Sequence, residues 1–564
     1  MIKNTLNFLS KEVRGLHAAA YILGAAALAS SVLALLRDRL LAHMFGASVP
    51  LDIYYASFRI PDLIFVATGA LVSVYMLIPA LAKRDEKEQL RYFDTIIASF
   101  MMFSVLVAGV AALVAPYVLA LLFPQLAATG HLGELTMLTR IILLQPILLG
   151  LSNILAAITQ SRNRYALYAV SPLLYNLGII VGVLVLYPFF GIAGLAWGVV
   201  FGACMHVGVQ VPSIIADGFL RRLPRVYKVK DAIDTAVLSV PRALALSMTQ
   251  VTYLGLIALA GLLAPGSIAI FTFAYNLQAV PLSIVGASYS VAAFPALAAA
   301  LARGAQDEFI AHIAAASRLV LFWSLPATAL IIVLRAHAVR IILGSGQFNW
   351  NDTKLTAAAF ALLSVSLVAQ GLVLLLVRGY YASGRTFVPF IISAITAAGT
   401  VVLGTLFVGA WQFPYLSDFA SALLRVDNVA GRSVLALAFA YTFTTIIGAL
   451  FIMWHFNTRF PGYFKQVRRA WGDSGLAALC AGVAAYAALI IVGQITFSST
   501  LGSVFLHGLV GGLAGMAAAA LAYRALGNKE YQEVAAMLSR RLPSRHTLFR
   551  TVKIADAAED HVQQ

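Results

Sequence analysis

The sequence predicts an all-α polytopic membrane protein, and three observations lead to that fold class. Of its 564 residues, 61% are hydrophobic and only 11% are charged. Apolar stretches of about 20 residues, the length that crosses a bilayer as a helix, recur from end to end. Segments such as "SVLVAGVAALVAPYVLALLF" are apolar on every side, which is typical of helices surrounded by lipid. Such runs are too long for the short alternating strands of a membrane barrel.

The apolar runs and the polar breaks between them predict about fourteen transmembrane helices. The first fifteen residues, "MIKNTLNFLSKEVRG", are basic and precede an apolar run, a pattern that also occurs in signal peptides. Because that run continues to Leu36 and into a charged motif, we expect a retained first helix. The predicted spans lie near 17–36, 60–82, 96–122, 135–159, 166–187, 191–214, 236–262, 268–299, 314–334, 355–377, 387–410, 433–455, 474–495 and 503–525.

The distribution of basic residues predicts which ends of the helices face the cytoplasm. Most lysines and arginines lie in the N-terminus, in alternate breaks such as "KRDEKEQLR" and "RRLPRVYKVK", and in the C-terminal tail, whereas "YPFFG" and "SSTLG" carry none. Cytoplasmic loops are enriched in Lys and Arg, so both termini should be cytoplasmic. The net charge of +16 therefore reports topology, and we expect no binding of nucleic acid because no stretch could form a separate basic domain.

Two long-range repeats divide the chain into related halves. The stretch 69–90 resembles 285–309, and 156–174 resembles 378–395, an offset of about 220 residues in each case. An even number of spans separates the copies, which predicts two six-helix halves around a central cavity, as in transporters built from parallel repeats. The predicted regions are an N-terminal half 1–230, a C-terminal half 231–456, two further helices 457–526 and a cytoplasmic tail 527–564.

The tail should leave the membrane at Arg524 and continue as an amphipathic helix to about Arg541. In this prediction Leu526, Val534 and Leu538 face the lipid headgroups, while Arg540, Arg541 and Arg545 reach anionic lipid.

Charged residues cluster at the end of the first span and the start of the second, in "LLRDRLLAHMFGASVPLDIYYASFRIPDLIF" at 35–65. A charge at the centre of a bilayer costs at least about 2.5 kcal/mol, so such groups normally face a water-filled cavity or a partner. We therefore expect Arg37 and Arg59 to line a polar cavity between the halves. Asp52 lies two helical turns before Arg59 and on the same helix face. Pro61 should kink this second helix.

A structural role is the alternative for the neighbouring groups. Asp38 and Arg39 form a cluster at a helix end that could reach the lipid headgroups. Arg37 and Arg59 could reach the headgroups in the same way. Asp52 could cap the second helix. Gln250 and Asn276 are weaker site candidates, because amides within spans more often join helices than bind substrate.

The sequence contains no catalytic or metal-binding motif of the HExxH or GxxxxGK[ST] kind. The two cysteines, Cys204 and Cys480, lie in apolar segments, which argues against a disulfide framework or a thiolate metal cluster. We therefore expect no enzyme, no metal site and no cofactor. Coupling of transport to an ion or to the membrane potential stays open.

The motifs "LLRDRLLAHMFGAS", "LDIYYASFRIPDL", "PRALALSMTQV", "FPALAAALARGAQDEF", "GSGQF" and "YYASGRTFVPF" are similar to those of the MurJ (MviN) family of lipid II flippases. This family belongs to the multidrug/oligosaccharidyl-lipid/polysaccharide exporter superfamily. The resemblance implies a fourteen-helix protein of the bacterial inner membrane. It would move the undecaprenyl-pyrophosphate-linked peptidoglycan precursor between leaflets by alternating access, in support of cell-wall synthesis and cell shape.

The resemblance assigns pyrophosphate binding to the positions of Arg37, Asp52 and Arg59. Ser31 and Asn276 stand where the family has arginines, and Thr68 stands where it has an acid. A basic pair of the family is also missing near Phe65 and Val66. Because neither Ser31 nor Asn276 supplies a charge, Arg37 and Arg59 should be the main anion contacts.

Alternative functions remain open at the level of the sequence. The chain could flip another lipid-linked glycan, or export drugs coupled to a cation as other members of the superfamily do. A third hypothesis is a scaffold for cell-wall synthesis proteins, with the last two spans as the docking surface. The expected partners are thus a lipid-linked glycan, membrane lipids and, in the scaffold hypothesis, proteins of cell-wall synthesis.

Overall fold

The computed structural model describes residues 16–71, 77, 80–81, 84–162, 164–427, 429–495 and 500–541. Throughout these ranges the regular structure is helical and no strand occurs, which confirms the predicted all-α class. Ten of the described helices are long and apolar enough to cross a membrane, and a bent pair makes an eleventh span. Three further helical regions occupy the positions of predicted spans 1, 2 and 7, so the structure is consistent with about fourteen spans.

Eighteen principal helices follow one another along the described part of the chain. They are α1 Leu16–Phe45, α2 Val49–Ser57, α3 Arg59–Leu71, α4 Glu86–Leu122, α5 Leu132–Ser161, α6 Tyr165–Phe190, α7 Ile192–Ala216, α8 Val229–Ala260, α9 Ser267–Ala302, α10 Gln306–Ile342, α11 Trp350–Val365, α12 Leu367–Ala382, α13 Phe387–Ala410, α14 Pro414–Leu424, α15 Val434–Arg459, α16 Tyr463–Ile495, α17 Leu501–Ala525 and α18 Lys529–Arg541. Helices α11 and α12 form the bent pair, with an angle of 43° between them. Helices α8, α16 and α18 begin close to the three predicted region boundaries, and the division itself stays a prediction.

The second predicted span, 60–82, begins earlier than expected and is broken. Helix α2 ends at Ser57 and α3 begins at Arg59, so the predicted kink at Pro61 lies instead at Phe58. Proline has no N–H to bond the carbonyl of Ser57, four residues earlier, but it fits the first turn of a helix, where no such bond is needed. The break places Arg59 at the start of a new helix.

One end of the molecule is closed by a core that both halves share. Fully buried side chains from the two halves, among them Leu51, Phe273 and Phe348, belong to one continuous cluster there. We call this the closed end. Toward the opposite end the described core residues form separate clusters, one around Phe93 of the N-terminal half and one around Phe309 of the C-terminal half. The continuous shared core therefore lies at the closed end, while nearer the opposite end the halves meet where α8 packs along α3 and where Tyr92 of α4 hydrogen-bonds Thr235 of α8 at 2.9 Å.

Helices α16 and α17 pack against each other and against α10. Helix α18 follows α17 and extends to Arg541, as predicted for the tail. The predicted headgroup contact of Val534 is wrong, because this side chain packs with Tyr531 against a buried cluster that includes Tyr523. An ion pair of 2.6 Å between Glu530 and Arg318 of α10 turns this helix face inward. The side chains of Leu538, Arg540, Arg541 and Arg545 lie outside the described part of the chain.

Candidate functional site

Arg37 belongs to a polar network that joins α1 to helices of both halves. Its guanidinium donates through Nε and Nη2 to Asp38 Oδ1, at 3.0 and 2.8 Å, and through Nη1 to Asn176 Oδ1 of α6 at 3.1 Å. The second oxygen of Asp38 accepts a hydrogen bond of 3.0 Å from Asn276 Nδ2 of α9. Asp38 is buried, whereas the Arg37 side chain keeps 20% of its surface exposed. The cation is thus held in place and remains accessible.

Arg59 lies at the start of α3 and is almost fully buried. Its Nε donates to the carbonyl of Tyr55 at 3.0 Å, and its Nη2 lies 3.4 Å from the Asp62 carboxylate. The guanidinium carbon sits 4.5 Å from the ring centroid of Tyr253 on α8, a cation–π contact between the halves. Helix α3, which begins at the break described above, therefore points its first cation at the C-terminal half.

Partners of the two arginines, Asp38 and Tyr253, contact neighbouring residues of α9. The ring of Tyr253, which contacts the Arg59 guanidinium, packs against Tyr275 with a centroid separation of 4.7 Å. Tyr275 directly precedes Asn276, the partner of Asp38 and so of the Arg37 network. The structure thus brings both predicted cations to the interface between the halves. That they line a cavity there stays a prediction, because the cavity described below is lined by neither.

Asp52 lies elsewhere, at the closed end. Its carboxylate accepts hydrogen bonds from the backbone amides of Gly266 at 2.6 Å and Ala269 at 2.8 Å, at the N-terminus of α9. The first amides of a helix lack intrahelical partners and favour a negative charge. The expectation that Asp52 caps its own helix is wrong, because it caps a helix of the other half. Arg59 pairs with Asp62 and not with this carboxylate.

Further polar contacts join the halves at the closed end. Arg39 Nη1 donates to the carbonyls of Ile341 at 2.5 Å and Ile342 at 3.1 Å, where α10 ends and carbonyls are left without partners. The amide of Gln347 donates to the carbonyl of His43 at 2.9 Å. Arg39 was expected among residues that reach the headgroups, and instead it binds the protein backbone.

The remaining candidates have local surroundings. Ser31 donates to the carbonyl of Ala27 in its own helix at 3.0 Å, and Gln250 is half-buried on α8. Sequence reasoning did not single out Asn176, Asp62 as a partner of Arg59, or Tyr253. An isolated amide in the apolar stretch of α6 was a usable signal for Asn176, whereas nothing in the local pattern distinguishes Tyr253 from other aromatic residues.

A cavity of about 250 Å³ lies beside this network, within the C-terminal half. Helices α8, α9, α12, α13 and α15 line it, and Tyr253 and Tyr275 form part of its wall.

Comparison with known proteins supports one family. The family model described as lipid II flippase MurJ matches residues 41–510. A probable lipid II flippase MurJ of Buchnera aphidicola subsp. Schizaphis graminum is 26% identical over 399 residues, covering 69% of this chain and 77% of the relative. Its counterpart in Thermotoga maritima is 26% identical over 439 residues, covering 75% and 88%.

Solved structures show the same fold. A lipid II flippase MurJ in an inward closed conformation matches with a TM-score of 0.71 and 19% identity, over 90% of this chain and 99% of that chain. An inward-facing multidrug resistance MATE family transporter of the MOP superfamily matches with a TM-score of 0.62 and 13% identity, over 77% and 96%. Because the family model covers most of the sequence, the chain belongs to the lipid II flippase MurJ family.

Proposed function

We propose that this protein moves lipid II, the undecaprenyl-pyrophosphate-linked peptidoglycan precursor, across the bacterial inner membrane by alternating access. The family and the names of the relatives supply the substrate class. The observation in the molecule that carries the proposal is the position of Arg37 and Arg59 between the two halves. Asp38, the partner of Arg37, accepts a hydrogen bond from Asn276 of α9, and Arg59 contacts Tyr253 of α8.

The surroundings of the two arginines suit a pyrophosphate. Guanidinium groups bind phosphate oxygens through paired N–H donors, and such charge-assisted hydrogen bonds are strong. In the structure Arg37 uses one of its donors on the neutral Asn176, which a phosphate oxygen can replace without leaving an acid unpaired. Asp38 and Asp62 hold the two guanidiniums in position.

The different packing of the two ends supports alternating access. Asp52, Arg39 and the backbone of His43 bridge the halves at the closed end, around one continuous core. Toward the opposite end the clusters around Phe93 and Phe309 are separate, and the halves meet there through contacts of α8 with α3 and α4. We assign the closed end to the outer face, in keeping with the basic breaks at the opposite end and cytoplasmic termini. Substrate would then enter from the cytoplasmic leaflet.

The protein would act as a transporter without chemistry on its substrate and without a bound cofactor. Among the described residues, no group of three or more His, Cys, Asp or Glu side chains could hold a metal ion. We propose that the driving force is an ion gradient or the membrane potential, to which the buried charges of α1 and α3 respond.

The test is rescue of a bacterium depleted of its own lipid II flippase. The wild-type chain should restore growth, and an impermeant probe should detect lipid II in the outer leaflet. The double variant Arg37→Ala, Arg59→Ala should insert normally and fail to rescue. Arg303→Ala, which removes an exposed surface cation, is the matched control and should rescue. Absence of rescue by a correctly inserted wild-type chain would contradict the proposal.

The neutral residues at Ser31 and Asn276 favour a second candidate, a flippase for another lipid-linked glycan, because two arginines of the family pattern are missing there. Mass spectrometry of the lipid that co-purifies with the protein distinguishes the two substrates. A drug exporter of the same superfamily would instead confer resistance without accumulating a lipid-linked glycan.

A further inference from the structure

The cavity in the C-terminal half has a lining that differs from the arginine site. All of the described lining residues are uncharged, and hydroxyl, phenol and amide side chains alternate with aliphatic ones. The polar members include Thr249, Tyr275, Gln370, Thr396, Tyr441 and Thr445. The volume of about 250 Å³ falls just below the ~300–1,000 Å³ of most small-molecule sites, which suits a single compact ring.

Three tyrosines build an aromatic wall in this cavity. Tyr253 and Tyr275 lie 4.7 Å apart at 30°, and Tyr441 meets Tyr275 at 5.9 Å and 73°. The Tyr441 hydroxyl donates to Gln370 Oε1 at 3.2 Å, and the Tyr253 hydroxyl donates to Thr272 Oγ1 at 3.3 Å. These bonds fix the ring orientations, so the wall is formed before a ligand arrives.

The chemistry of this lining matches a sugar ring. A pyranose has an apolar face, which packs on aromatic rings, and hydroxyl groups around its edge, which need hydrogen-bonding partners such as Thr and Gln. A prenyl chain would offer this lining no hydrogen bonds, whereas a sugar can bond to the acceptor positions that the internal bonds of residues such as Thr396 and Tyr441 leave open. A charged peptide or a cationic drug would find no opposite charge on the described wall.

The position of the cavity links it to the arginine site. The ring centroid of Tyr253 lies 4.5 Å from the guanidinium carbon of Arg59, and Tyr253 also lines the cavity. The two sites therefore share this side chain. We propose that the cavity binds the uncharged sugar ring of the substrate that is joined to the pyrophosphate. This inference rests on the proposed function and adds a second subsite to it.

The test compares two lipids on the purified protein in nanodiscs. Lipid II carries the sugars, and undecaprenyl pyrophosphate has the same tail and pyrophosphate without them. Tyr275→Leu and Tyr441→Leu should each weaken lipid II binding about tenfold and leave binding of the sugar-free lipid unchanged. Arg59→Ala should weaken both. Tyr415→Leu changes a tyrosine that is 93% exposed and should change neither.

The outcomes separate the two proposals. If the wild type binds neither lipid, the proposed function fails. If the wild type binds both lipids equally, or if the tyrosine variants weaken both to the same degree or neither, the sugar subsite is overturned while the flippase assignment stands. Should a leucine variant fail to fold, the nearly isosteric Thr445→Val provides the same comparison, with an expected loss of about threefold for lipid II alone.

Discussion

The Asp52 carboxylate of the N-terminal half lies 2.6 Å from the amide nitrogen of Gly266 and caps a helix of the C-terminal half. Its other oxygen accepts from Ala269 N at 2.8 Å, so both oxygens are bound at the same helix terminus. The closed end cannot separate without exposing this carboxylate and these amides. The contact therefore acts on the balance between the two access states.

Replacement of Asp52 by alanine should favour opening of the closed end. Loss of two charge-assisted hydrogen bonds removes roughly 2–4 kcal/mol from the closed state. Opening can be measured with a single cysteine, Ala42→Cys, at a fully buried position of the shared core. The native Cys204 and Cys480 are replaced by serine in this background. The thiol at position 42 should react with a maleimide much faster in the Asp52→Ala protein.

Asp418→Ala is the control for that experiment, because Asp418 also pairs with an arginine, Arg432, but keeps 66% of its side chain exposed. Its labelling rate should match that of the parent. Equal labelling of the Asp52 and Asp418 variants would show that the α9 cap does not hold the end closed.

Asp38 should be more important for stability than any exposed acid. It is buried between Arg37 and Asn276, and its removal leaves a half-buried guanidinium without its counter-charge. Asp38→Ala should lower the unfolding free energy by about 3–5 kcal/mol, whereas an exposed pair contributes less than about 1 kcal/mol. Thermal unfolding of the purified protein measures this. Asp38→Asn, which keeps the shape and one acceptor, should lie between Asp38→Ala and wild type, and an unaltered melting temperature for Asp38→Ala argues against the network.

Helix α18 should stabilise the protein without being required for transport. Truncation after residue 528 removes Glu530, the partner of Arg318, and the packing of Val534. We expect a lower melting temperature and retained rescue of the flippase-depleted strain. Glu530→Gln isolates the ion pair and should reproduce only part of the thermal effect. Complete loss of rescue by a stably inserted truncation contradicts this separation of roles.

The fold class followed from sequence because each transmembrane helix must satisfy its own backbone in lipid, which leaves a long apolar run as a local signal. The break between α2 and α3 was predicted a few residues too late, because a proline disturbs the carbonyl four residues before it and is itself accepted in a first helical turn. The inward packing of Val534 was missed because amphipathicity shows that a helix has an apolar face without showing what covers it.

The site was predicted in part. Intramembrane charge is rare enough to identify Arg37 and Arg59 as residues with a special role. Their acidic partners, Asp38 and Asp62, are local in sequence. The other contacts of the network could not be predicted, because Asn176, Tyr253 and Asn276 come from distant parts of the chain that only the fold brings together. The cap formed by Asp52 was hidden for the same reason, since its helix begins more than two hundred residues later in the sequence.

Substitutions of Arg37 distinguish a phosphate contact from a structural ion pair. If the guanidinium binds the pyrophosphate, Arg37→Ala should weaken lipid II binding roughly 10- to 100-fold, the effect of losing charge-assisted hydrogen bonds of about 1.5–3 kcal/mol. Arg37→Lys should be intermediate, because an ammonium keeps the charge and loses the planar fork. Asn176→Ala frees Nη1 without removing charge and should weaken binding much less than Arg37→Ala. Titration of lipid II against each purified variant gives the order directly. If Arg37 only neutralises Asp38, then Arg37→Ala lowers thermal stability and leaves the lipid II affinity equal to that of the wild type. That result would show that Arg37 does not bind the substrate.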